Sequence, residues 1–126
     1  MEILLRKMII QNVPKLNNQI YPTNAPETYN KPYLVYYRAN TNEMKTLAKR
    51  AVNKRVTYHW NIMTSSYNEM IEIRNLLENM LIELENKKID NIFIEEIKIN
   101  NIHETYEFNL KLQRGIIDFT IYYEEV

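Results

Sequence analysis

Asp90, Glu96 and Lys98 are spaced D-x5-E-x-K. Two carboxylates can hold Mg²⁺ while a lysine orients or activates water, which is the chemistry of a metal-dependent nuclease. That chemistry requires both carboxylates on one ion, and hence on adjacent strands. Only five residues lie between Asp90 and Glu96, and 92–98 reads as one unbroken strand. At about 3.3 Å per residue, Glu96 falls roughly 20 Å from Asp90. The pattern reads better as a charged strand edge that limits unwanted pairing. His59 and His103 stand 44 residues apart without carboxylates at ligand spacing. His59 is expected to be solvated on the polar face of a strand. Ser65 and Ser66 are explained by helix capping, and Gly115 is the single glycine, which excludes a Gly-rich phosphate loop. No catalytic residue, metal ligand or cofactor site is expected, and the chain is not expected to be an enzyme.

Charge is the next feature. Residues 1–55 hold ten Lys/Arg and three Glu, a balance of +7; residues 56–126 hold six Lys/Arg and thirteen Asp/Glu, a balance of −7. Either the fold interleaves the halves, or one surface is basic and another acidic, which favours head-to-tail self-association. The basic cluster is Lys45, Lys49, Arg50, Lys54 and Arg55. It can serve as a solvated connection, a protein contact or a phosphate-binding patch for DNA. The absence of cysteine excludes disulfides and thiolate metal sites. Arg6 and Lys7 interrupt the apolar N-terminus, so no signal peptide or membrane span is expected. Asn, Ile, Lys and Tyr fill 54 of 126 positions, the bias of an AT-rich gene.

These residues need elements to position them. Leu5, Met8, Ile9 and Val13 predict a helix over 2–13, ended by Val13-Pro14. "NNQIYP" predicts a short edge strand, 33–39 a central strand, and 55–63 a half-buried strand with Val56, Tyr58, Trp60 and Ile62 inward. Segment 41–54 is expected to be a flexible basic loop with a transient helical turn. "SYNE" at 66–69 is a capping box opening a helix over 66–86. Its broad apolar stripe is Tyr67, Met70, Ile71, Ile73, Leu76, Leu77, Met80, Leu81 and Leu84. Glu72, Glu78, Glu83 and Glu85 are expected to form an acidic face opposite that stripe, the first candidate to meet the basic cluster of a neighbour. Strands follow at 92–102, with a bulge at Glu95-Glu96, and at 116–123. Helices on one face of an antiparallel sheet make a single α+β domain over 1–126.

Three of the four prolines fall between 22 and 32, among Tyr21, Tyr29, Tyr33, Tyr36 and Tyr37. Proline fixes φ and lacks a ladder donor, so Pro22, Pro26 and Pro32 predict a stiff, non-pairing arm beside the sheet. Tyr21, Tyr29 and Tyr33 would lay rings on apolar surface, and a stiff arm loses less entropy when a neighbour docks.

"IYPTNAPETYNKPYLVYYR" resembles the signature of the tail-completion family of long-tailed phages, which contains tail terminators and tail-to-head joining proteins. Tyr21, Pro22, Ala25, Pro26, Pro32, Tyr33, Val35 and Tyr37 carry the likeness. "HWNIMTSSY", the long helix and "IIDFTIYY" follow in the family's order, so that the similarity runs from about 3 to 123. Segment 41–54 departs from it. The resemblance implies a four-stranded antiparallel sheet, mixed at its edge, with two helices packed on one face. It implies a homohexameric ring in the virion, assembled in the host bacterium's cytoplasm. That ring caps the tail tube, joins the head-completion or connector protein, and lets DNA pass, without cofactor or membrane. Another neck or connector protein, or a DNA-binding or nuclease-like domain using 45–55, are the alternatives.

Overall fold

The helical spacing at the N-terminus produces α1 (Glu2–Asn12) in the computed structural model, with Leu4, Leu5 and Ile9 buried. The structure describes residues 1–16, 19–22, 32–45, 52–108 and 111–125, and at 40–45 and 52 it describes the backbone alone. Val13 leaves the helical region at φ −129° and ψ 72° while its N–H still bonds Ile9 O. Pro14 cannot extend the ladder, and a 3-10 turn carries the chain to the buried Leu16.

Among the described residues six strands follow: β1 (Ile20–Pro22), β2 (Tyr33–Lys45), β3 (Val52–Thr64), β4 (Lys87–Ile89), β5 (Ile92–Glu107) and β6 (Leu112–Glu125). Helix α2 (Tyr67–Glu83) lies between β3 and β4 in the chain. The strands form one curled sheet in the order β1-β2-β3-β6-β5-β4. The β1–β2 pair is parallel and all others are antiparallel. The expected four-stranded sheet is therefore corrected to a six-stranded mixed one. The overlooked strand, β4, is Lys87-Lys88-Ile89, too short and polar to show a period. Asp90 turns the chain from β4 into β5 with φ 54°.

The expected basic loop is also corrected. β2 runs through residue 45 and β3 begins at Val52, so 41–45 and 52–54 are paired strand, and 46–51 lie outside the described residues. Asn40 and Asn42 are weak strand formers. The antiparallel ladder with β3 runs through them nonetheless, with Glu43 level with Lys54. The bulge expected at Glu95-Glu96 is present, as a register shift between Ile94 and Glu96; a second lies between Ile99 and Asn101.

One sheet face meets both helices. Val56, Tyr58, Trp60 and Ile62 of β3 and Ile117, Phe119, Ile121 and Tyr123 of β6 are buried there, with Leu34, Ile94 and Ile97. From above come Leu5 and Ile9 of α1 and Met70, Ile73, Leu77 and Leu81 of α2. Trp60 meets Phe119 edge-on at 4.6 Å between ring centroids. Such a pair adds about 0.5–1.5 kcal/mol to the burial of its area.

Ser66 begins α2 as expected, its Oγ accepting from Glu69 N–H at 3.5 Å. Thr64 Oγ1 donates to Ser66 O at 2.6 Å and holds the approach. The cap is long, so Ser66→Ala is expected to cost about 0.5–1 kcal/mol, the lower part of the usual range. Urea unfolding checks this, and a loss above about 2 kcal/mol would show that Ser66 does more than cap.

Candidate assembly surfaces

The sheet order converts the charge split into geometry. β1, β2 and β3 all come from residues 20–64, and β6, β5 and β4 from residues 87–125. Residues 20–64 hold seven Lys/Arg and two Glu, and residues 87–125 hold five Lys/Arg and eight Asp/Glu, so the strands of one lateral side come from a basic stretch and those of the other from an acidic one. Among the described residues, Lys54 pairs with Glu125 at 2.9 Å and Lys15 with Glu72 at 2.5 Å across the halves.

Within the basic cluster, Lys54 is thus engaged along the sheet. Arg55 is exposed on β3, while Lys45 belongs to the end of β2. Lys49 and Arg50 lie outside the described residues. The four glutamates do not share one face. Glu72 and Glu83 are about 20° apart at 100° per residue, but Glu78 is about 120° round the helix from Glu72. Glu85 has left the helix, and its carboxylate accepts the Ile97 N–H at 3.0 Å, tying the end of α2 to β5. Exposed acid on α2 is therefore Glu72, already paired, and Glu83.

The tyrosine–proline stretch is partly structural. Pro22 ends β1, a paired edge strand, with Tyr36 as its register partner, which corrects the expectation of a non-pairing arm at that residue. Edge strands tolerate proline because one side needs no donor. Tyr21 and Tyr33 face each other at 6.3 Å. Tyr33 is 4% exposed, in a second apolar cluster with Met63 and Leu112. Pro32 is half-buried just before β2; Pro26 lies outside the described residues.

The face away from the helices carries three polar groupings that alternation announced but could not pair. His59 Nδ1 and Asp118 Oδ1 are 2.5 Å apart across β3 and β6, with the Tyr37 ring 5.1 Å from the imidazole. His59, expected to be merely solvated, is thus anchored. Thr57 and Thr120 hydroxyls meet at 2.9 Å, and Asn100 donates to Thr120 Oγ1 at 2.9 Å. Arg114 donates to Asn61 Oδ1 at 2.8 and 2.6 Å and to Glu107 at 2.9 Å. These bonds fix register across β3, β6 and β5. On the helix side, Tyr58 is wholly buried beneath α1, and burial, then the Glu2 carboxylate, push its hydroxyl far above the usual tyrosine range.

Asp90 sits in the β4–β5 turn, Glu96 beside the first bulge of β5, and Lys98 opposite Thr120. Among the described residues, no three His, Asp or Glu side chains are grouped to hold a metal ion. Among the same residues no helix is long and apolar enough to cross a membrane.

No family model matches the sequence, and no curated protein matches it. Among solved structures, the chain is similar to one from the virion of a native gene transfer agent (GTA) particle. The TM-score is 0.64 at 9% identity, with 95% of this chain and 94% of that chain covered. At that identity the likeness establishes the fold.

Proposed function

We propose that this chain is a structural virion protein of the tail-terminator or tail-to-head joining kind. It assembles in the host cytoplasm as a ring, taken as hexameric, that caps the tail tube and meets the head connector while DNA passes through. Its work is done by interfaces, without a reaction or cofactor. The observation that carries this reading is the likeness over nearly the whole of both chains to a protein of a gene-transfer-agent virion. The Tyr–Pro signature at 21–37 and the basic-to-acidic polarity of the sheet support it.

The test is to add purified protein to tails lacking their terminator and view them by negative-stain microscopy. Rings at tail ends are expected. Bare tail ends at every protein concentration would overturn the reading. A charge variant sharpens it. Replacing Lys49, Arg50 and Arg55 with Glu is expected to leave the monomer folded and to weaken tail joining on the order of tenfold at about 0.01 M ionic strength. The defect shrinks as salt rises and the Debye length falls from ~30 Å to ~8 Å. Normal joining by this variant at low salt would mean that the basic segment has no part in assembly.

A further inference from the structure

Two long strand edges carry no strand partner among the described residues. On one side, β1 covers β2 only at Leu34–Tyr36, and no described strand pairs with the outer edge of 37–45. On the other side, β4 covers β5 only at Ile92–Ile94, and Glu85 takes the Ile97 N–H. The outer edge of 98–107 is then open. Open edges of nine and ten residues are templates for another strand, and proteins rarely leave such edges flat and unpaired.

We infer that these edges pair with each other between copies of this chain: β5 98–107 of one subunit receives β2 37–45 of the next. The inference rests on the ring reading above and names the contact that builds the ring.

Strand polarity permits it. β2, β3, β6 and β5 alternate in direction across the sheet. A second copy placed beside β5 in the same orientation therefore presents β2 antiparallel to it, and the shared ladder accommodates the bulges at Ala39 of β2 and Asn100 of β5. The formal charges of the two edges are opposite, +1 over 37–45 and −1 over 98–107, while Arg38, Glu104 and Glu107 are each paired within the subunit, with Glu2, Arg74 and Arg114. The basic side of one sheet then meets the acidic side of the next.

Stagger decides whether such a chain of sheets can close. Tyr37 is level with Asn101 through His59 and Asp118, and Lys45 is level with Ile92 through Val52 and Glu125. The open part of β2 thus spans the levels of 92–101, and full pairing with 98–107 shifts each copy by about six residues along the strands. That shift is ~20 Å, against ~19 Å for the width of four strands. The ratio corresponds to a strand tilt of about 45°, at the top of the ~35–45° range at which sheets close into barrels. This holds for any number of copies, because shift and width grow together. The two short strands sit at opposite corners of the sheet, and in this register each leaves the shared ladder clear.

The chain contains no cysteine, so an introduced pair reports one contact only. Ala39→Cys is combined in turn with His103→Cys, Glu104→Cys, Thr105→Cys and Tyr106→Cys, all at exposed positions. Within one copy, residues 39 and 103–106 stand on strands three places apart, roughly 14 Å, beyond the ~7 Å that a disulfide spans. Ala39→Cys with Asn75→Cys on α2 is the control. Mild oxidation of concentrated protein is expected to give a ladder of linked oligomers on a non-reducing gel for at least one of the four pairs, and none for the control. Rings visible by microscopy without a ladder from any pair would overturn the edge pairing and leave the ring reading standing. Monomer without a ladder, in protein that also leaves tail ends bare, would overturn both.

Discussion

Leu77→Ala is expected to lower stability by about 2–5 kcal/mol, a large share of the ~5–15 kcal/mol that holds a domain of this size together. Leu77 has no exposed surface and lies under α2 with Met70, Ile73 and Leu81, above the strands whose Phe119 and Trp60 form the centre of the core. Removing its three outer carbons leaves a cavity that a close-packed interior cannot fill by relaxation. The neighbouring residue supplies the control. Leu76 is 38% exposed on the adjoining flank, and Leu76→Ala is expected to change stability by no more than about 0.5 kcal/mol. Urea unfolding of both variants, followed by circular dichroism, separates them. Equal losses would mean that α2 does not present this face to the sheet.

That face was legible because α2 repeats its apolar residues over nearly five turns, and a stripe of that length has one solution. Val56–Ile62 and Ile117–Tyr123 were legible for the matching reason in strands: strict alternation fixes which side is buried before any partner is known. The end of α1 followed from Val13-Pro14, and the bulge at Glu95-Glu96 from the change of parity across it. β4 was not legible. Three residues cannot show a period, and β4 exists because Asp90 turns the chain back onto β5. Nor were the ends of β2 and β3, where pairing across a hairpin outweighs the asparagines.

The surfaces were less legible than the fold, because they depend on strand order. The opposite charge of the two halves of the chain was countable, but only the order β1-β2-β3-β6-β5-β4 turns it into opposite sides of one sheet. His59 and Asp118 are 59 residues apart and meet through register alone. Glu85 looked like one more surface acid on a long helix. It is instead a hydrogen-bond acceptor beyond the helix end, because the chain leaves α2 at Glu83.

Gly115→Val is expected to cost roughly 1–3 kcal/mol or more, by overpacking. The single glycine of this chain is not needed for its dihedral angles, since no glycine has positive φ. It is needed for space. A Cβ at Gly115 would stand 2.7 Å from Met70 Sδ and 3.0 Å from Met70 Cγ, with Ile62 Cδ1 at 3.7 Å. Met70 is wholly buried in the first turns of α2, so its thioether cannot swing into solvent. Either it leaves its rotamer or the helix start lifts from β6. Methionine has three side-chain torsions and yields more readily than a branched residue would. Gly115→Ala should therefore be milder than Gly115→Val. If the contact with Met70 is the cause, shortening Met70 relieves it. Met70→Ala alone is expected to lose about 2–5 kcal/mol by leaving a cavity. In the double variant the valine methyls occupy part of that cavity, and the combined loss should fall short of the sum by about 1 kcal/mol or more. At about 3–5 °C per kcal/mol for a chain of this length, the shortfall is readable from melting curves of the four proteins. Losses that add within about 0.5 kcal/mol would show that something other than Met70 keeps position 115 bare.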